Sequence, residues 1–175
     1  MRSNDSECLV SVDGTDFRVQ ETYTLDPRLF SHKFKGAGLR YEVGICIQTG
    51  YIVWISGSFR AGEYPDISIF RRPGGMKDSL LPGEKVEADN GYQGEPLSVS
   101  TPDDCQNSAM KYLAKANARA RHECINGALK NFKALKTQFR HKHCHHSAVF
   151  TAIAVLTQME IECGGITYQI NYEDY

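Results

Sequence analysis

Asp13, Asp89 and Glu123 are the residues of this 175-residue chain whose types and placement could do chemistry together. Asp13 closes the apolar run Leu9-Val10-Ser11-Val12 and precedes Gly14-Thr15; Asp89 closes Val86-Glu87-Ala88 and precedes Asn90-Gly91-Tyr92. Glu123 stands inside a predicted helix, sharing a face with Arg119, Asn126 and Lys130. Carboxylates are hard oxygen donors, and strand ends and helix faces hold them rigidly enough to converge on divalent cations. A site of this kind cuts or joins phosphodiesters. Without metal the three acids repel one another and raise at least one pKa, so metal binding is expected to stay weak until a substrate phosphate arrives.

The elements that must position these residues follow from patterning. Cys8–Asp13 and Phe17–Val19 read as strand, broken by a turn at Gly14-Thr15. Residues 21–38 read as a loop. Arg40–Gln48 alternates, with Tyr41, Val43, Ile45 and Ile47 on one face, and Thr49-Gly50 joins it to Tyr51–Ser56 as a hairpin. Pro65 opens a short helix through Asp66–Arg71, and Pro73-Gly74-Gly75 ends it. Lys85–Ala88 reads as a buried strand, and Leu97–Ser100 as another. Asn107 or Ser108 caps a long helix reaching about Phe132, and Ser147 caps a last, almost wholly apolar helix that ends at Cys163-Gly164-Gly165. The tail, residues 166–175, is acidic and aromatic. The order is that of a mixed α/β domain in which a three-stranded meander feeds a central sheet, and the length suits one domain over residues 1–175.

Hydrophobic content of 41% and charged content of 23% are ordinary for a soluble globular protein. No apolar run approaches the ~20 residues that span a bilayer, and residues 1–20 lack the layout of a signal peptide. No membrane partner is expected, and the compartment is expected to be the nucleus, or the cytoplasm in a prokaryote. The six cysteines show no paired spacing and read as reduced, mostly buried thiols.

The net charge of −1 conceals an asymmetry. Residues 111–146 hold nine Lys and Arg and a single acid, Glu123, so this stretch carries +8. A basic ridge of this density attracts polyanions. Arg119, Arg121, Lys130 and Lys133 on the helix, with Lys35 and Arg40 beside Gly36 and Gly38, are the candidate DNA contacts. The basic ridge argues against a neutral sugar as substrate for the paired carboxylates. Arg140-His141-Lys142-His143-Cys144-His145-His146 invites a zinc reading, but consecutive ligands cannot all reach one tetrahedral centre, and a basic turn between helices is expected instead.

At this point the chain resembles the catalytic domain of DDE transposases, in the Harbinger-like and insertion-sequence-related group. The likeness rests on Asp13-Gly14-Thr15 after a strand, on Ala88-Asp89-Asn90-Gly91-Tyr92, and on the helix signature Arg119, Glu123, Lys130. Thirty-three residues separate Asp89 from Glu123, near the family's usual interval, and Asp66 before Ile67-Ser68-Ile69-Phe70 resembles its intermediate segment. The likeness spans most of residues 9–160. Two positions depart from the family pattern: Ala116 stands where a tyrosine is usual, and Asp16 where a histidine is frequent. An alternative alignment places Asn126 at the glutamate position with Lys133 as the lysine, which would remove the third acid.

The resemblance implies an RNase H-like fold and a metal-dependent endonuclease that cuts DNA at transposon ends and transfers the new 3′-OH strand to target DNA. It implies two Mg2+ (or Mn2+) ions, with Asp13 bridging both and Asp89 and Glu123 each holding one. Asp66 is expected either behind these ligands or simply as an acid favouring its helix N-terminus. Little sequence precedes Asp13, so the chain is expected to be a fragment or truncated frame. Recognition of transposon ends would then fall to a separate Myb-like or helix-turn-helix protein, and a homo-oligomer is also expected. The alternative function is a domesticated or truncated descendant that binds DNA or protein without catalysis.

Overall fold

A computed structural model describes residues 8–102 and 109–165, with the side chains of the long helix from residue 116 onward. The first strand, β1 (Val10–Arg18), runs straight through Asp13-Gly14-Thr15, where a turn was expected. It does so because every residue from Val10 to Arg18 pairs antiparallel with β3 (Gly36–Cys46), from Val10 opposite Cys46 to Arg18 opposite Gly38. A two-residue strand, β2 (Phe30–Ser31), pairs with the start of β3 in the stretch read as loop, after a 3-10 turn Pro27–Leu29 capped by Asp26. β3 and β4 (Ile52–Arg60) form the expected hairpin. Gly50 closes it at φ +76°, a left-handed conformation that glycine adopts without steric penalty.

α1 (Asp66–Arg71) follows Pro65 as expected, and a further turn of helix, α2 (Met76–Ser79), comes after Gly75. β5 (Val86–Ala88) lies parallel to β1, and β6 (Val99–Ser100) parallel to β5. Then come α3 (Ala109–Asn131), the short α4 (Lys133–Lys136), and α5 (His146–Glu162). The expected caps Asn107 and Ser108 and the tail 166–175 lie outside the described residues. α5 begins at His146, one residue before the expected cap Ser147.

Across the sheet the strands run β4, β3, β1, β5, β6, with β2 on the edge of β3. This is a six-stranded mixed sheet, an antiparallel meander extended by parallel strands and flanked by helices, as the RNase H-like expectation requires. Strand side chains alternate between faces, so each face carries its own core. On one, Phe17, Leu39, Tyr41, Val43 and Ile45 pack against Ile125, Leu129 and Phe150 of the long helices. On the other, Val12, Val86 and Ala88 pack against Phe70 and Met76 of the short ones. Tyr41 stacks on Phe150 with centroids 3.9 Å apart, and its hydroxyl lies 2.8 Å from Nδ1 of the buried His146. Trp54 packs on the second cluster, and its Nε1 donates to Glu42 Oε2 at 2.9 Å.

Among the described residues no helix is long and apolar enough to cross a membrane. The five described cysteines, expected to be mostly buried, are all half-buried or exposed.

Candidate active site

Val12 of β1 lies opposite Ala88 of β5, and β5 stops there. The next residue on each strand is Asp13 and Asp89. The two chains part at this point: β1 continues to Arg18, while the other turns off through a 3-10 turn, Asn90–Tyr92. A crevice opens where parallel strands diverge at their carboxyl ends, a common place for ligands in α/β sheets. Asp89 holds its own turn, with the Gly91 N–H donating to Asp89 Oδ1 at 2.8 Å.

α3 completes the site from one face of the sheet. Four helical residues rise ~6 Å and two strand residues ~6.6 Å, so His122 and Asn126 keep step with Ser11 and Asp13. Ser11 Oγ lies 2.9 Å from His122 Nδ1, and Asn126 Nδ2 donates to Asp13 Oδ2 at 3.1 Å. Glu123, one position around the helix from His122, is exposed and lines a cavity that Asp13, Asp89, Lys33 and Arg119 also line.

The three acids singled out in the sequence therefore surround one cavity. The group in contact with Asp13, however, is Asn126 rather than Glu123. Among the described residues no three His, Cys, Asp or Glu side chains are gathered closely enough to hold one metal. Burial pushes the Asp13 carboxyl up to about 6; Lys33 works against that rise, and Asp89 and Asp66 add to it. Burial also raises Asp66, against the pull of Arg40 and Lys33.

Asp66 is the first residue of α1, and its carboxylate lies 3.3 Å from the place where a β-carbon on Gly91 would stand. On its other side it fills the space beside Gly14. It thus stands between the glycines that follow Asp13 and Asp89. Arg40 Nη1 holds it at 3.3 Å.

The candidate DNA contacts divide. Arg119 lines the cavity; Lys130, Lys133 and Lys35 are exposed away from its lining, with Lys130 Nζ 5.7 Å from the ring centre of Phe17. Arg40 is buried, its guanidinium bidentate on Asp16 at 2.7 and 3.1 Å. Asp16, which follows the expected Gly14-Thr15 turn, is therefore a buried strand residue whose charge Arg40 neutralises. Arg121 is buried too and donates to the backbone carbonyls of Ile47 and Gln48 under the β3–β4 turn. Neither Arg40 nor Arg121 presents its charge to solvent, so neither belongs on a DNA-facing surface.

Residues 12–158 match the family described as DDE superfamily endonuclease. The chain belongs to the DDE superfamily endonucleases. No curated protein and no solved structure matches it. DNA is the substrate that membership of this family implies.

For a DDE endonuclease the donor set fits a hard divalent cation. It is made of carboxylate oxygens, and the Asp89 and Asp66 charges, which add to the rise that burial imposes on Asp13, are what a bound cation would offset. Two charged residues of the cavity lining, Lys33 and Glu87, stand outside the candidate site residues named from the sequence. Lys33, which donates to the Gly14 carbonyl at 2.5 Å, sits in the same loop as Lys35, and composition alone could not separate the two. Glu87 left a clearer signal, a carboxylate inside the otherwise apolar strand β5, where it is buried at the cavity wall. Among the described residues the His141–His146 run joins no group of metal ligands: His146 packs against the rings of Tyr41 and Phe139, and His143 Nε2 lies 2.9 Å from the Gln20 carbonyl oxygen.

Proposed function

We propose that this chain is a two-metal endonuclease and strand-transfer domain that cuts DNA at transposon ends and joins the freed 3′-OH to target DNA. The reading rests on one observation, the convergence of Asp13, Asp89 and Glu123 on a single cavity whose rim carries Lys33 and Arg119. Asp13, Asp89 and Glu123 would hold Mg2+ or Mn2+. When bound, the ions polarise the scissile phosphate and lower the pKa of the attacking water or hydroxyl. Lys33 and Arg119 receive the phosphates on either side of the scissile bond, as a point charge and a planar fork respectively. Asn126 orients the Asp13 carboxylate, and Asp66, pinned by Arg40, packs against Gly14 of β1 and Gly91 of the 3-10 turn, the glycines beside the two aspartates.

The test is nicking of supercoiled DNA by purified chain with Mg2+ or Mn2+, with Asp89→Asn as control. Metal-dependent nicking that Asp89→Asn abolishes supports the reading; equal nicking by both proteins removes it. A second reading, a descendant that binds DNA without cutting, draws on the Asn126 amide lying on Asp13 where an acid would complete the cage. DNA binding with no nicking under either metal selects that reading. The nuclear location and the separate Myb-like or helix-turn-helix partner belong to the same proposal.

A further inference from the structure

α5 buries Phe150, Ile153, Ala154, Thr157 and Ile161 against the sheet, yet its opposite face is also apolar. Val155 is 54% exposed, Leu156 50% and Met159 56%, and Ala148 and Ala152 continue the stripe toward the helix start. Positions 145, 148, 152, 155, 159 and 162 recur at alternating intervals of three and four, and all six are exposed. That is the spacing of a helix seam built to meet another helix.

The stripe is self-complementary when reversed. About a centre between Ile153 and Ala154, His145 mirrors Glu162, Ala148 mirrors Met159, Ala152 mirrors Val155, and Thr151 mirrors Leu156. Each large apolar side chain is matched by a smaller one, and an imidazole is matched by a carboxylate. The charges of the helix also run against its own dipole. Its first turn has no acid and its last turn no base; Arg140 and Lys142 lie just ahead of it, and Glu160 and Glu162 close it. An antiparallel copy of the same helix would bring each basic end to an acidic end and offset both dipoles.

We infer that α5 is a homodimer interface, docking antiparallel across a two-fold axis against α5 of a second copy of this chain, with Val155 and Met159 seated on Ala152 and Ala148 of that copy. A two-fold contact requires one patch to be complementary to itself, which the mirrored stripe satisfies. The pairing runs along the ~25 Å of the helix, none of whose residues lines the cavity of Asp13, Asp89 and Glu123. It does not depend on whether that cavity cuts DNA.

The test is sedimentation velocity on the full chain at about 100 µM, where a Kd of micromolar order leaves the dimer dominant. Wild type should sediment as a dimer and Val155→Asp as a monomer. Val155 is half-exposed, so the variant should keep its fold, and an unchanged circular dichroism melt of the monomer confirms that. Mirror symmetry makes a sharper demand. His145→Glu alone and Glu162→Arg alone should each weaken dimerisation by about ten-fold or more, while the double swap in one chain restores it. A wild-type monomer, a dimeric Val155→Asp, or a double swap no tighter than the single variants overturns the proposal.

Discussion

The carboxylate of Asp66 occupies the space in which a β-carbon on Gly14 would have to stand. Gly14 is therefore glycine for a reason that lies 52 residues away rather than in a local turn, because β1 runs through it in regular pairing with Glu42. Gly14→Ala should push Asp66 off Arg40 and crowd the strand beside Asp13. The expected loss is about 1–3 kcal/mol, typical of overpacking a close approach, together with a fall in nicking larger than the stability change explains. Thermal melts and nicking rates on the same preparation separate the two. An alanine variant that melts and nicks like wild type would falsify this role for Asp66.

Two neighbouring positions on α3 compete to be the third ligand. Glu123 supplies a carboxylate to the cavity from an exposed position, and Asn126 supplies an amide to Asp13 from a buried one. Glu123→Gln should lower metal-dependent nicking by on the order of a hundred-fold or more, since it removes a charged oxygen donor. Asn126→Ala should cost about 1 kcal/mol of stability for its hydrogen bond and lower the nicking rate less than Glu123→Gln does, since it loosens Asp13 without removing a donor. The reverse ranking in single-turnover assays would mean that α3 is read one turn out of register.

The arginines make opposite demands. Arg121 clamps the β3–β4 turn onto α3 through the carbonyls of Ile47 and Gln48, whereas Arg119 opens onto the cavity. Arg121→Ala should lower stability by about 2–3 kcal/mol, the range for a charged donor lost from buried acceptors. It should leave the salt dependence of DNA affinity unchanged. Arg119→Ala should leave the melt unchanged and reduce the salt slope of binding by about one. Affinity measured across a salt series, beside thermal melts, reads both.

What the sequence made legible was whatever local pattern decides. Alternation and Thr49-Gly50 disclosed the β3–β4 hairpin, because the positive φ at Gly50 is a local demand. Apolar runs ending in acids disclosed Asp13 and Asp89, because parallel pairing of Val10–Val12 with Val86–Ala88 brings the next residue of each together. The errors arose where a distant partner decides. Gly14 reads as a turn until Asp66 is placed beside it, and Arg40 and Arg121 read as surface charge until Asp16 and the carbonyls of residues 47 and 48 are found inside the fold. Single turns of helix such as α2 and α4 have too few residues to show a period.

Glu42 provides a pH test apart from the catalytic acids. It is fully buried opposite Gly14, and burial pushes its carboxyl up to about 7, against the lowering by the Trp54 indole and the Tyr92 hydroxyl. An unfolded chain returns it to its ordinary value of 4.5. Below that value both states hold the proton and no penalty arises. Between 4.5 and about 7 the unfolded state releases its proton while the folded state keeps it, so stability falls as pH rises, and the loss is complete above about 7. The full loss is on the order of 3 kcal/mol. Glu42→Gln keeps an oxygen for Trp54 and cannot ionise, so it should match wild type near the acid end of that window and exceed it on the alkaline side. Asp13 titrates within the same window, which makes the difference between variant and wild type the informative quantity. Urea unfolding at both ends of the window measures it, and a difference that does not grow with pH would show Glu42 to be ionised in the folded protein throughout.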